Sequence, residues 1–349
     1  MMRAVNLAVA MLAAIGSAAA QAQRTTVVGR VFVNGTNLPV GYAIIVAAPG
    51  NRELFTNADG GFSLGNVGAG PLRITARRVG FSPLDTTIDI AGQDTVRLSL
   101  GLSLITIQLP AVHSLAKSCA HPGGSDAQIG LELAQLFDQV KENAIRNRLL
   151  SRSYPFELDV ERKIARPEPL LEARFVAYDT VIRSSDRAWR YAPGKMLGTR
   201  EYEGGVFAGR WSTITMPELA DFADERFLLN HCFDFGGIEV VEGDSLLRID
   251  FTPAPVVHTP DVAGAIFLDS KTYQLRVTDL LLVNLTRQLR GQLSGQSIRA
   301  YFKEVIPGVP VLSAVSSVVF PKEDKNAAPR EPATENHRIL RVRFLRGKP

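Results

Sequence analysis

The chain has 349 residues, 46% of them hydrophobic and 21% charged, with a formal net charge of +4 from 39 basic and 35 acidic side chains. This is globular composition, and the length favours two or more domains. The charges are interspersed, which excludes a basic stripe for nucleic acid and leaves contact with anionic surfaces open.

The first element is the stretch Met1–Ala22, MMRAVNLAVAMLAAIGSAAAQA. Arg3 gives a short positive end, Ala4–Ile15 an apolar run, and A-x-A follows at Ala18–Ala20 and Ala20–Ala22. That is the pattern of a cleavable signal peptide, and the run falls short of the ~20 residues of a spanning helix. No cysteine sits at the cleavage region, which speaks against a lipid-anchored precursor. The most apolar later segment, Val277–Leu285, is interrupted by Asp279 and Asn284. The expectation is an exported protein of the bacterial envelope, periplasmic or secreted, with at most peripheral membrane contact.

From Thr25 to Leu109 the pattern has period two. Leu72, Ile74 and Ala76 alternate with Arg73, Thr75 and Arg77, and Val96, Leu98 and Leu100 with Thr95, Arg97 and Ser99. Thr86, Ile88 and Ile90 oppose Asp85, Thr87 and Asp89. One-sided alternation predicts antiparallel strands with one solvated face. Asn34-Gly35, Pro49–Asn51, Ala58–Gly61 and Gly68–Pro71 supply the turns between them, and short strands at this spacing predict a sandwich or barrel. The glycine-rich stretch after Thr56 runs into another strand rather than a helix, so it is read as turns and not as a phosphate loop.

The segment Gly29–Val31, the turn at Pro39, TNADGGFSL from Thr56, and the LRI strand leading to Val79-Gly80-Phe81 resemble the carboxypeptidase regulatory-like domain, of the transthyretin-like class. Gly61 stands where a variable residue is usual and Leu72 where an aromatic is common. The resemblance covers residues 25–109. It implies a seven-stranded Greek-key sandwich in an accessory role, and it brings no catalytic residues.

Residues 110–125 read as a linker, with Leu102–Val112 as a last strand or an ordered crossover. Ser114–Lys117 fits S-x-x-K, but no K-T-G or S-D-N accompanies it. The two cysteines, Cys119 and Cys232, suit an oxidising compartment and a disulfide closing a loop of about 110 residues. Metal binding through Cys119, His121, His231 and Cys232 stays open as an alternative, as do free thiols.

A helix is expected from Ser125, with Ile129, Leu133, Leu136, Phe137, Val140 and Ala144 on one stripe and Glu132, Gln135, Gln139, Glu142 and Asn143 off it. From Ser151 onward strands dominate, about eight or nine of them, with a hairpin at Leu268–Leu275 and a short helix near Met216–Phe222. RFLLNHCFDF from Arg226 reads as one strand, and Phe320–His337 as a charged loop before the last strand. An antiparallel sheet curled around the helix satisfies this pattern. IDFTP from Ile249, with GAIFLDSKTYQLRVTDL from Gly264, is similar to the half-open β-barrels of bacterial envelope proteins of the lipoprotein-carrier type. That likeness implies a curved sheet wrapping a helix, able to hold an acyl chain.

No H-E-x-x-H, H-x-H, G-x-S-x-G, Walker A or dinucleotide fingerprint is present around His113, His121, His231, His258 or His337. Glu218, Asp221, Asp224 and Glu225 cluster as paired carboxylates would for sugar hydrolysis, and equally as a solvated helix face would. Trp189, Tyr191 and Trp211 could stack on a sugar or pack across strands.

The sequence thus predicts a mainly β protein: a Greek-key β-sandwich at 25–109, then an α+β domain at 126–349 with a curved antiparallel sheet and one long helix. No catalytic, cofactor-binding or metal residue is assigned, which weighs against an enzyme. The expected function is non-catalytic binding or assembly in the periplasm or at the outer membrane, with an envelope protein, carbohydrate or lipid as partner and no nucleic acid. Carriage of an apolar ligand by the second domain, and hydrolysis by scattered residues within it, are the alternatives.

Overall fold

The computed structural model describes residues 25–92, 95–109, 122–123, 130–168, 173–186, 190–202, 209–290, 293–322 and 331–347. The signal-peptide segment and most of the linker, with Ser114, Lys117 and Cys119, lie outside them.

The N-terminal module has seven strands, β1 (Thr25–Val33), β2 (Ile44–Ala48), β3 (Arg52–Phe55), β4 (Gly61–Val67), β5 (Gly70–Arg77), β6 (Leu84–Ile90) and β7 (Thr95–Leu102). They form two sheets, ordered β4-β1-β7 and β3-β2-β5-β6. The alternation drives the layering: Val27, Val31, Ile45, Leu64, Leu72 and Ile74 all face the shared core. The expectation of purely antiparallel strands needs one correction, because β7 runs parallel to β1 from Thr26–Thr95 to Val33–Leu102. Strand β7 also stops at Leu102, and beyond it Leu104 makes only an isolated bridge to Phe81. The turn before β4 places Gly60 at φ +75°, where a Cβ would sit 2.3 Å from the Val31 carbonyl oxygen. The side chain of Asn57 closes that turn by accepting from the Asp59 and Gly61 amides. These residues are turn-makers, as read from the sequence.

The second module opens with α1 (Leu131–Ser153). Gly130, at φ +81°, ends the preceding chain, so the helix starts there and Ser125 is not its cap. Strands β8 (Phe156–Glu168), β9 (Ala173–Ser184), β10 (Leu197–Tyr202) and β11 (Gly209–Ile214) follow, then a 3-10 helix (Leu219–Ala223) and α2 (Glu225–Leu229). The rest comprises β12 (His231–Val241), β13 (Asp244–Pro253), β14 (Asp261–Asp269), β15 (Leu275–Val283), α3 (Arg287–Arg290), β16 (Leu293–Ile306), β17 (Val309–Pro321) and β18 (Ala333–Phe344).

Nine strands make one antiparallel sheet, ordered β12-β13-β14-β15-β16-β17-β18-β8-β9, while β10 and β11 form a separate hairpin. The predicted hairpin is there, its turn organised by Asp269, whose carboxylate accepts from the amides of Lys271 and Thr272. The segment read as one strand from Arg226 is a helical turn up to Leu229 before β12 begins. Ala333–His337, read as loop, belongs to β18. Leu133, Leu136, Phe137 and Val140 of α1 pack on Leu247, Ile249, Ile266 and Leu280 of the sheet.

Candidate functional site

The apolar stripe of α1 faces the sheet, and its opposite side is also covered. Gln139, Glu142, Asn143 and Arg146 are all buried. What covers them is the sandwich together with the turns at Tyr273 and Gly308. The Gly80 amide donates to Gln139 (2.8 Å), Arg77 donates to Glu142 through Nη2 (2.7 Å) and Nε (3.0 Å), and Arg146 donates to the carbonyls of Gly308 (2.6 Å) and Tyr42 (2.5 Å). The Arg146 guanidinium also lies 5.6 Å from the Phe55 ring centroid. Burial, with the Arg78 charge adding to it, pushes the Arg146 pKa down to about 9, and Glu142 and Glu304 act in the opposite sense. Asn143 ties α1 to the hairpin turn, donating to the Tyr273 carbonyl (3.0 Å) and accepting from the Leu275 amide (3.0 Å). Val79 and Ile107, from the sandwich and its exit, sit in the same apolar core as the helix. The seam between modules is thus a continuous packed interface with α1 at its centre.

Of the carboxylates singled out from sequence, Glu225 is exposed and Glu218 pairs with Arg183 at the surface, while Asp221 and Asp224 are structural. Asp221 is 1% exposed and accepts from the Tyr191 amide (3.0 Å) and the Glu218 amide (2.9 Å). Asp224 caps α2 by accepting from the Arg226 amide (2.9 Å), and the Arg226 guanidinium holds its carboxyl below the usual range. Both lie where a short helix needs an acceptor for its unpaired amides.

Sequence reasoning missed the group next to them. The Tyr191 hydroxyl donates to Asp261 (2.6 Å), and His231 Nε2 lies 3.3 Å from the same carboxylate and 3.1 Å from the Val262 carbonyl. His231 Nδ1 faces the Phe227 carbonyl at 2.8 Å, and its ring stacks on Phe227 at 4.0 Å. Tyr191, His231 and Asp261 are each 0% exposed. Burial, then the hydrogen bond to Asp261, raises the Tyr191 pKa and keeps the phenol protonated. No spacing in the chain announces this cluster, since its members lie tens of residues apart. It is sealed from solvent, so it serves as a polar pin in the core. Both ring nitrogens of His231 face oxygen atoms of the core, at Phe227 on one side and at Val262 and Asp261 on the other. Among the described residues no three metal-ligating side chains come together. Trp189 and the side chain of Trp211 lie outside the described residues.

The helix-facing side of the sheet continues beyond α1. Register carries it from Ile298 through Ser317, Glu335 and Ile164 to Ala177, and in the next row from Ala300 through Val315, His337 and Arg162 to Asp179. Paired residues of an antiparallel ladder share a face, so these rows adjoin the core of which Ile298 and Ala300 form the margin. Their apolar members are only half-buried. A charged network crosses them: Arg162 binds Asp179 in a forked pair, His337 Nε2 lies 2.7 Å from Glu335, and Gln296 donates to Ser317 (3.1 Å). The Arg162 hydrogen bond lowers the Asp179 pKa. Burial alone would raise that of Glu335, but the His337 hydrogen bond and charge, helped by Arg162, bring it below normal.

On the outer face a pocket of about 340 Å³ lies over Leu281, Ser297, Ser316 and Val318, beside the Asp279–Arg299 pair. A second, of about 260 Å³, is lined by Pro253, Val257, His258 and Asn284.

Residues 26–103 match the carboxypeptidase regulatory-like domain family, in agreement with the resemblance read over 25–109. No curated protein matches the chain. Solved structures that it resembles include a protein domain described as outer-membrane lipoprotein-sorting from Vibrio parahaemolyticus (10% identity, 64% of this chain and 95% of that one, TM-score 0.33). A LolA superfamily protein from Nitrosomonas europaea gives 11% identity over 61% and 94% of the two chains, with a TM-score of 0.30. A DUF1329 family protein from Desulfovibrio piger gives 12% identity over 61% and 95%, also at 0.30.

Proposed function

We propose that this is an exported, non-catalytic envelope protein whose role is binding or assembly. The observation that carries the reading is the employment of its polar side chains. Asp221, Asp224, Tyr191, His231 and Asp261 are consumed in capping helices and pinning the core, and Arg162, Asp179, Glu335 and His337 are paired with one another across the sheet. The accessory sandwich is fused to the second module through α1, which supports one binding body rather than a catalytic domain with a loose appendage. Assays against peptides, esters and glycosides should find no turnover; robust turnover of any class overturns the reading.

A second reading, carriage of an apolar or lipid ligand, is favoured by the half-buried apolar rows on the helix-facing side of β16, β17, β8 and β9. Mass spectrometry of natively purified protein should then detect a bound lipid, and a fluorescent acyl probe should be taken up. Absence of both counts against it.

Two sequence expectations belong to the same proposal. Export removes Met1–Ala22, which sequencing of the secreted N-terminus checks. Cys119 pairs with Cys232: the Gly123 amide donates to the His231 carbonyl (3.1 Å), placing the chain four residues after Cys119 beside β12, and no described cysteine is free. If the bridge forms, reductant speeds proteolysis between residues 110 and 125; equal cleavage in both conditions removes it.

A further inference from the structure

Among the described residues, strand β9 is one edge of the nine-stranded sheet and pairs only with β8. Edge strands of soluble proteins are normally guarded by bulges, prolines or outward charges, because a free ladder invites another strand. The other edge, β12, is broken by a bulge between Phe235 and Gly237. Strand β9 carries Arg174 and Arg183 near its ends and has no such guard in the stretch between them. Its register with β8 is unbroken from Ala173–Glu168 to Ser184–Glu157. Between Phe175 and Ile182 there is no proline or lysine, and the single charge, Asp179, is neutralised by Arg162 on the helix-facing side. On the outer face the same strand presents Val176, Tyr178 and Ile182, at 43%, 66% and 61% exposure. Next to them β8 turns polar, with Asp159, Glu161 and Lys163, so the apolar surface is confined to the edge itself.

We propose that β9 is an interface with a second copy of this chain, the two β9 strands pairing antiparallel across a twofold axis at Asp179. The strand is self-complementary in that register. Val176 lies opposite Ile182 of the second copy and Tyr178 opposite its Thr180, so all three exposed apolar side chains gain a cross-strand neighbour on the outer face. Ala177 meets Val181 on the other face. The two Asp179 carboxylates approach at the axis, each compensated by the forked Arg162 of its own subunit. Both sheets then continue into one, and the two unpaired backbone edges disappear.

Single-cysteine substitutions test this in the full-length mature protein. Mixing V176C with I182C should give a disulfide-linked heterodimer under mild oxidation. Neither should couple to L340C, which is exposed but away from the edge. Sedimentation of the unmodified protein should show a monomer–dimer equilibrium, and I182K or Y178K should raise its dissociation constant at least about tenfold. Because both side chains already face solvent, circular dichroism of these variants should be unchanged, and so should the melting temperature at dilutions where the unmodified protein is monomeric. A protein that stays monomeric into the millimolar range, or a dimer that ignores I182K and fails to cross-link at 176 and 182, overturns the proposal. The first result would leave the edge to a strand from a different protein.

Discussion

Gly264 and Gly65 look alike in the sequence, both mid-strand glycines preceded by an apolar residue, yet they do different jobs. A Cβ on Gly264 would fall 1.9 Å from the Asp279 carbonyl oxygen on the neighbouring strand, a backbone atom that cannot swing away. At Gly65 nothing lies within 4 Å, and its φ is ordinary. Gly264→Ala should therefore cost about 3 kcal/mol in urea denaturation, whereas Gly65→Ala should be neutral or slightly stabilising. Titration offers a second test at this scale. Asp179 and Glu335 have folded-state pKa values below their unfolded ones. Their contribution is present above the unfolded carboxylate range, and it is lost as pH falls from about 4 downward through the folded values. Stability should drop with acid in that window, and Asp179→Asn, which cannot be titrated, should drop less steeply in the same urea series.

The elements were legible wherever one physical pattern dominated. Alternation located β5, β6 and β7, turn chemistry located the Asp59–Gly61 reversal, the hairpin reading put a turn at Asp269–Lys271, and the apolar stripe located α1. The failures have causes too. Ala333–His337 carries almost no apolar residues because its place in β18 is secured by the Glu335, His337 and Arg162 network, which no period-two count can find. Arg226–Leu229 is apolar enough for a strand, but Asp224 caps it into a helix. Glu142 and Asn143 read only as lying off the apolar stripe of α1, and only the fold shows that they and Arg146 are paired and covered. Arg146→Met keeps the length of the side chain and removes its donors, leaving the Gly308 and Tyr42 carbonyls without them. A loss of about 2–4 kcal/mol is expected, read as a lower urea midpoint with an unchanged slope.

At the scale of the whole molecule, the boundary drawn at residues 110–125 falls between two modules that pack on each other through α1. Val79 and Ile107 lie in the core that α1 shares with the sheet, and Arg77, Gly80 and Tyr42 satisfy polar groups on the helix. Unfolding followed by tryptophan fluorescence and by far-ultraviolet circular dichroism should accordingly give coincident transitions; two separate transitions would mean that the modules melt independently. For anyone wishing to dissect the protein, this has a practical cost. A shortened chain beginning at residue 126 would carry Glu142 and Arg146 on a bare helix, with neighbouring greasy surface unroofed. It would be expected to precipitate, or to recruit a surrogate roof, and any affinity measured on it would report the wound rather than the native molecule.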